Sequence, residues 1–264
     1  RAAPGQRPEP FLEARFSDVT ARLNDAMPSI EAGQGRLSIA GNRLAVLLEA
    51  GHMVPPAAPS GARIDLAGSA FVISDLAQQP EPGEVRLQAS GPVGAFTGFL
   101  DGPAWRILDK AGIDAGSVAG QGRLEGTLRM PMKRDLRLHE VDFDLTGVLT
   151  GLTSQSLVPG LSMQAEALDL RLADHRVTLR GPVVVQGQPA RLRLQQPLLR
   201  PEGAAEGSGW GGGLEADFTL SAAALRAFGI GLPHGTVDGG APARLALSFD
   251  RGAGPGLPFT VDST

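Results

Sequence analysis

Along most of the chain, hydrophobic residues recur at every second position, the spacing of a strand with one dry and one wet face. The clearest stretch runs from Glu166 to Gln196. There Leu168, Leu170, Leu172, Val177, Leu179, Val183, Val185, Leu192 and Leu194 share one parity, and Asp169, Arg171, Arg176, Thr178, Arg180, Arg191 and Arg193 share the other. Asp174-His175 and Gln186 to Pro189 fall between the alternating runs as turns. Similar alternation is found at Leu37 to Leu48 around Gly41-Asn42, at Ile64 to Ile73 around Gly68, at Val85 to Ala89 after a turn at Pro80 to Gly83, and from Arg123 onward. Leu136 and Leu138 have a parity that Val141, Phe143 and Leu145 do not, so a bulge or turn is expected at His139-Glu140.

Three stretches break the period of two and predict short helices. Ser17 to Met27 has Phe16, Val19 and Leu23 at spacings of three and four, a possible cap in Ser17 and a stop in Pro28. Pro103 to Ala111 places Trp105, Leu108 and Ala111 on one side, with Pro suited to a first turn. Ala222 to Phe228 follows Ser221, a good cap. The hexapeptide Ala-Gly-Gln-Gly-Arg-Leu occurs at Ala32 to Leu37 and again at Ala119 to Leu124, each time after one of the first two of these stretches, with a looser echo at Val237-Asp238-Gly239. The copies are unequally spaced, which excludes a fixed-period solenoid. They predict a helix-then-sheet module used about three times. Residues 1–200 are expected to hold two modules, 201–213 a Gly-rich mobile loop, and 214–264 a third module cut short. The expected fold is therefore mainly β: a curved antiparallel sheet with about three short helices. Alternation alone leaves sandwich, barrel and open sheet as alternatives.

Composition sharpens this in a few places. Gly and Pro number 36 and 21 of 264 residues, which suits a chain with many turns. Aromatic residues are 5 % with Tyr absent, and a two-layer core usually draws on large aromatics. An aliphatic lining suits either an ordinary core or a surface that meets acyl chains. A net charge of −4 with interspersed signs argues against a nucleic-acid footprint. No cysteine is present, which excludes disulfides and thiolate metal sites. No run of 18 apolar residues offers a membrane-spanning helix. The chain begins at Arg1 and stops just after a strand-like Leu257 to Val261, so it reads as an excerpt of a longer protein.

The residues of catalysis are not assembled by the sequence. His52, His139, His175 and His234 are scattered at strand ends and turns without metal-ligand spacing. Asp142 and Asp144 share the polar face opposite Phe143 and read as solvated carboxylates. There is no Gly-x-Ser-x-Gly elbow and no phosphate loop, and Gly207 to Gly213 is linker composition. A non-enzymatic protein with no metal or cofactor is expected.

Several spaced residues carry a family resemblance. They are Pro10-Phe11-Leu12-Glu13-Ala14, Met27-Pro28 ahead of Gly33-Gln34-Gly35, the Trp105 to Gly112 stretch with Val118-Ala119-Gly120 after it, Met130-Pro131-Met132-Lys133 ahead of Asp135-Leu136, and Leu168 to Gly187 with Gly187-Gln188-Pro189. In these the chain resembles the AsmA-like superfamily of large bacterial envelope proteins, of the YhdP and TamB type. The resemblance implies an elongated, taco-shaped β-groove, apolar inside and polar outside, that conducts phospholipid between the inner and outer membranes in outer-membrane biogenesis. It also implies a periplasmic segment anchored to the inner membrane by a part outside this chain. Acyl chains would then be the partners of Phe143, Leu145, Leu168, Leu170, Leu172, Val177, Leu179, Val183, Val185, Leu192 and Leu194, the residues that parity places on the groove wall. The alternatives are a non-catalytic scaffold domain of a surface or assembly protein, and, third, a hydrolase or carbohydrate-active β-protein.

Overall fold

Period-two alternation becomes one antiparallel sheet that winds through the chain in sequence order. A computed structural model describes residues 11–22, 27–102, 118–158, 161–199, 211–229, 238–248 and 259–263. The first strands are β1 (Phe11–Ala21), β2 (Ile30–Ala40), β3 (Arg43–Met53), β4 (Ile64–Asp65), β5 (Ala70–Ile73) and β6 (Glu81–Pro92). Helix α1 (Val93–Leu100) leads towards β7 (Val118–Met132), and a 3-10 turn at Leu138–Glu140 precedes β8 (Asp142–Val158). Then come β9 (Leu161–Ala173), β10 (Arg176–Val185), β11 (Gln188–Pro197), β12 (Gly213–Ser221), α2 (Ala222–Ala227), β13 (Gly240–Ser248) and β14 (Phe259–Ser263). Each strand pairs with its neighbours in sequence, except that β4 and β5 both lie between β3 and β6. The mainly β, curved antiparallel fold is as the alternation predicts. The runs around Gly68 differ in one respect: β4 and β5 pair with β3 and β6 and not with each other.

The helices depart from expectation. Ser17 to Met27 is not helical where it is described; Phe11–Ala21 is an edge strand. Its spacing of three between Phe16 and Val19 comes from a bulge, since Phe16 is opposite Gly35 while Val19 is opposite Gly33. Asp18 sits inside that bulge at φ +55°, so an extra strand residue imitates a helical step. Pro103 to Ala111 lies outside the described residues. Ala222–Ala227 is helical, and Ser221 Oγ accepts a hydrogen bond from the Ala224 N–H at 3.2 Å. Helix α1 was not predicted by the periodicity, being only eight residues long with two glycines. The parity change at His139-Glu140 is the 3-10 turn.

Both copies of the repeated hexapeptide are strand, in β2 and β7, and their second glycines receive aromatic rings. Gly35 faces Phe16 across the ladder, and Gly122 lies under Phe96 of α1, whose Cε2 is 3.0 Å from the position a Cβ would take. A glycine in a strand interior loses side-chain packing, and a ring laid over it restores the covered surface.

Three apolar clusters follow one another on the same face of the sheet. One joins Leu48, Met53, Ile64, Leu66, Ala89 and Ala95, with Phe16, Phe96 and Phe99 against it. A second joins Met130, Val141 and Phe143, and the largest spans β8 to β12 and includes Val93 of α1. Leu168 in the largest is only 1 % exposed. A side chain on a flat single layer keeps one side in water, so curling of the sheet and flanking side chains close over it. β11 and β12 are adjacent, with Ala190 opposite Phe218 and Gln195 opposite Gly213, so 214–248 continues the same sheet.

Candidate functional site: the apolar face of the sheet

The eleven residues placed together by parity are together in three dimensions. Across β8, β9, β10 and β11 the register aligns Leu145, Leu172 and Val177 in one row, and Leu170, Leu179 and Leu194 in the next. Side chains opposite each other in adjacent strands stand on the same face, about 4.5–5.5 Å apart at Cβ. Leu168, Val183, Leu192 and Leu194 are buried members of the largest cluster, and Leu170, Leu179 and Val185 pack half-buried against it. Phe143 belongs to the neighbouring cluster, with Leu172 against it. Leu145 is buried, and Val177 is half-buried.

Keeping one face apolar over strands this long requires two matched steps. In β8 the buried positions change from Leu145 and Leu149 to Leu152 and Ser154, and in β9 from Leu168 to Ala165 and Met163. Both strands step where Gly151 (φ +58°) and Glu166-Ala167 meet, so their parities change together. β10 keeps a single parity throughout, so the extra residue of β9 appears as a register shift between Arg180 and Val184. Pro182 lies within that interval. A residue with no N–H to donate fits a place where the ladder is already interrupted.

The opposite face is ionic. Arg129 is directly across from both Glu84 and Asp142, with Nε 3.3 Å from the former carboxylate and Nη1 3.8 Å from the latter. Arg171 reaches Asp144 at 3.0 Å, Arg244 reaches Asp217 at 2.6 Å, and Arg36 reaches Glu49 at 2.7 Å. All are solvent-exposed pairs, worth about 0–1 kcal/mol each. Arg86, hydrogen-bonded to Glu84 and aided by Arg129, holds that carboxyl below the usual carboxylate range. Asp142 and Asp144 are thus partners of arginines in this ladder.

At one end the apolar face is roofed. Helix α1 lays Ala95 and Phe96 on it, and the loop after β3 lies over α1, with the backbone of Ala57 and Ala58 so close to Gly98 that no Cβ fits between. Sequence reasoning missed these residues, although Val93, Phe96 and Phe99 recur at intervals of three. Among the described residues no group of three or more His, Asp or Glu could hold a metal ion, and no helix is long and apolar enough to cross a membrane. In the comparisons with known proteins, no family model, no curated protein and no solved structure matches the chain.

Proposed function

We propose that this chain is a segment of a periplasm-spanning carrier that passes phospholipid between inner and outer membranes, with acyl chains against the aliphatic face and headgroups in water. The observation that supports this reading is the single sheet itself. Its apolar face extends through strands that, apart from the short β4 and β5, pair with their sequence neighbours, no second sheet covers that face among the described residues, and arginine–carboxylate pairs occupy the other side. Each acyl methylene moved from water to such a wall gains about 0.8 kcal/mol, so a lipid can be held without specific bonds. The membranes would be reached through parts of the protein outside this segment.

A second reading, a non-catalytic scaffold domain of the envelope whose apolar face closes on itself, is favoured by the depth of Leu168, Val183, Leu192 and Leu194. Leu170 and Leu179 separate the two, being directly opposite one another and only half-buried. In an open groove, Leu170→Asp or Leu179→Asp places a carboxylate where water reaches it. These variants should melt close to the parent and lose the phospholipid that co-purifies with it, as read by thermal unfolding and lipid mass spectrometry. In a closed core the same carboxylate costs several kcal/mol. A collapsed melt, with no phospholipid on the parent either, would replace the carrier with the scaffold.

A further inference from the structure

Strand β1 has β2 as its one neighbour among the described residues, so alternate N–H and C=O groups along Phe11–Ala21 point away from the sheet with no strand to take them. Edge strands are commonly blunted by Lys, Pro or brevity, and β1 has 11 residues with neither Lys nor Pro. Its bulge comes only after Phe16, and before it Phe11 and Leu12 are 72 % and 49 % exposed. Phe16 packs against the apolar cluster that includes Leu48 and Ala89. By alternation Leu12 and Ala14 share that face, and Phe11, Glu13 and Arg15 stand on the ionic one. There Arg15 is opposite Arg36, whose guanidinium holds Glu49, and neither Glu13 nor Arg15 has an ion-pair partner among the described residues.

Antiparallel pairing of β1 with a second copy of itself has few registers to choose from. The two-fold axis of such a pair is perpendicular to the sheet and keeps every side chain on its own face, and residues directly opposite share a face, so the axis must pass between two copies of one residue. Centred on Glu13 or on Arg15, the pair sets like charges directly opposite each other, which destabilises it. Centred on Phe16, it runs into the bulge, where Asp18 is at φ +55°. Centred on Ala14, it places Glu13 opposite Arg15 of the partner subunit and Arg15 opposite the partner's Glu13, while on the apolar face Leu12 meets the partner's Phe16. We propose that β1 is a dimerisation edge, on which a second copy of this chain docks antiparallel with Ala14 at the two-fold axis. The far edge offers no such closure: an even number of antiparallel steps separates β14 from β1, so the two run in the same direction and would join copies as a parallel, open-ended pair. In the dimer both apolar faces lie on one side and form one wall. The contact is short and is therefore made only at high protein concentration; in dilute solution the chain is a monomer with β1 as a free edge. This inference goes beyond the carrier reading and does not depend on it.

The chain has no cysteine, so single-cysteine variants report the register directly. Mild oxidation of concentrated Ala14→Cys should link the chains into disulfide dimers, because its two copies face each other with Cβ atoms about 4.5–5.5 Å apart. Leu12→Cys, also exposed, should stay unlinked, since its two copies are offset by about 13 Å along the strands. Sedimentation of the cysteine-free protein from about 10 µM to about 1 mM should show a monomer–dimer equilibrium. Arg15→Glu and Glu13→Arg should each raise the dimer Kd at least about tenfold, because two attractive cross-strand pairs become repulsive. An equimolar mixture of these two variants should associate as tightly as the parent, since each repulsive set then meets its opposite. Should a charge variant fail to fold, the cysteine comparison decides alone. A monomer at every concentration overturns the proposal. So does a dimer that ignores the charge variants, or a Leu12→Cys that links as readily as Ala14→Cys. Phospholipid co-purification tests the carrier separately and is untouched by any of these results.

Discussion

At Gly35 a methyl group would run into the backbone carbonyl of Leu47, and at Gly122 into ring atoms of Phe96 at 3.0 and 3.1 Å. A carbonyl held in a ladder cannot retreat, but a ring at the end of a helix can turn by a few tenths of an ångström. Alanine also restricts the unfolded chain, a gain of about 0.4–1 kcal/mol that offsets part of any strain. Gly35→Ala should therefore destabilise by about 2 kcal/mol or more, while Gly122→Ala should stay within about 1 kcal/mol of the parent, as measured by urea unfolding. At this scale much was legible, because a buried residue flanked by Arg and Asp declares its face; Leu170 and Leu179 are read correctly from their neighbours alone. His175 was not. A His after Asp in a tight turn is fully accounted for by turn geometry, both residues taking φ +51°. Nothing in a single sequence says that its ring folds inward against Phe143.

Among elements, strands with unbroken alternation were readable and those with a bulge were not. β10 keeps one parity from Val177 to Val185, whereas β1 inserts residues against β2 and so takes on the spacing of a helix. Helix α1 depends on contacts distant in sequence, with Phe96 over Gly122 and the Ala57-Ala58 backbone against Gly98, and these do not exist in an eight-residue window. The 3-10 turn before β8 is held by charge. Lys133 Nζ is 2.6 Å from Glu140 Oε1, and the Arg137 N–H donates to Oε2 at 2.9 Å. Lys133 first, then the Arg137 N–H, keep the Glu140 carboxyl below its ordinary range. A carboxyl lowered on folding stabilises above its unfolded pKa, and that contribution is lost as pH falls through the folded value. Glu140→Gln should melt slightly earlier than the parent at pH 7, and thermal scans towards pH 3 should bring the two together. A gap that persists in acid would mean that the turn is held by shape and not by charge.

At the scale of the whole molecule, the sheet does not close among the described residues. Among the described residues β1 pairs with β2 alone and β14 with β13 alone, and at the first of these edges Phe11 is 72 % exposed. Order by sequence also means that each strand depends on the one before and the one after it, with little reaching across. Such a molecule behaves as a linear array in which stability is passed between nearest neighbours and fraying starts at the ends. Amide hydrogen exchange should then be graded: fastest in β1 and β14, slower through β3 and β12, and slowest in β8 and β9, where neighbours stand on both sides for several strands. One uniform protection factor would show instead that the sheet opens in a single event. If the gradient holds, the chain has no unique folding unit, and a cut at either edge would shorten it strand by strand while the middle kept its structure, as a zip fastener keeps its closed teeth when a few at the end are parted.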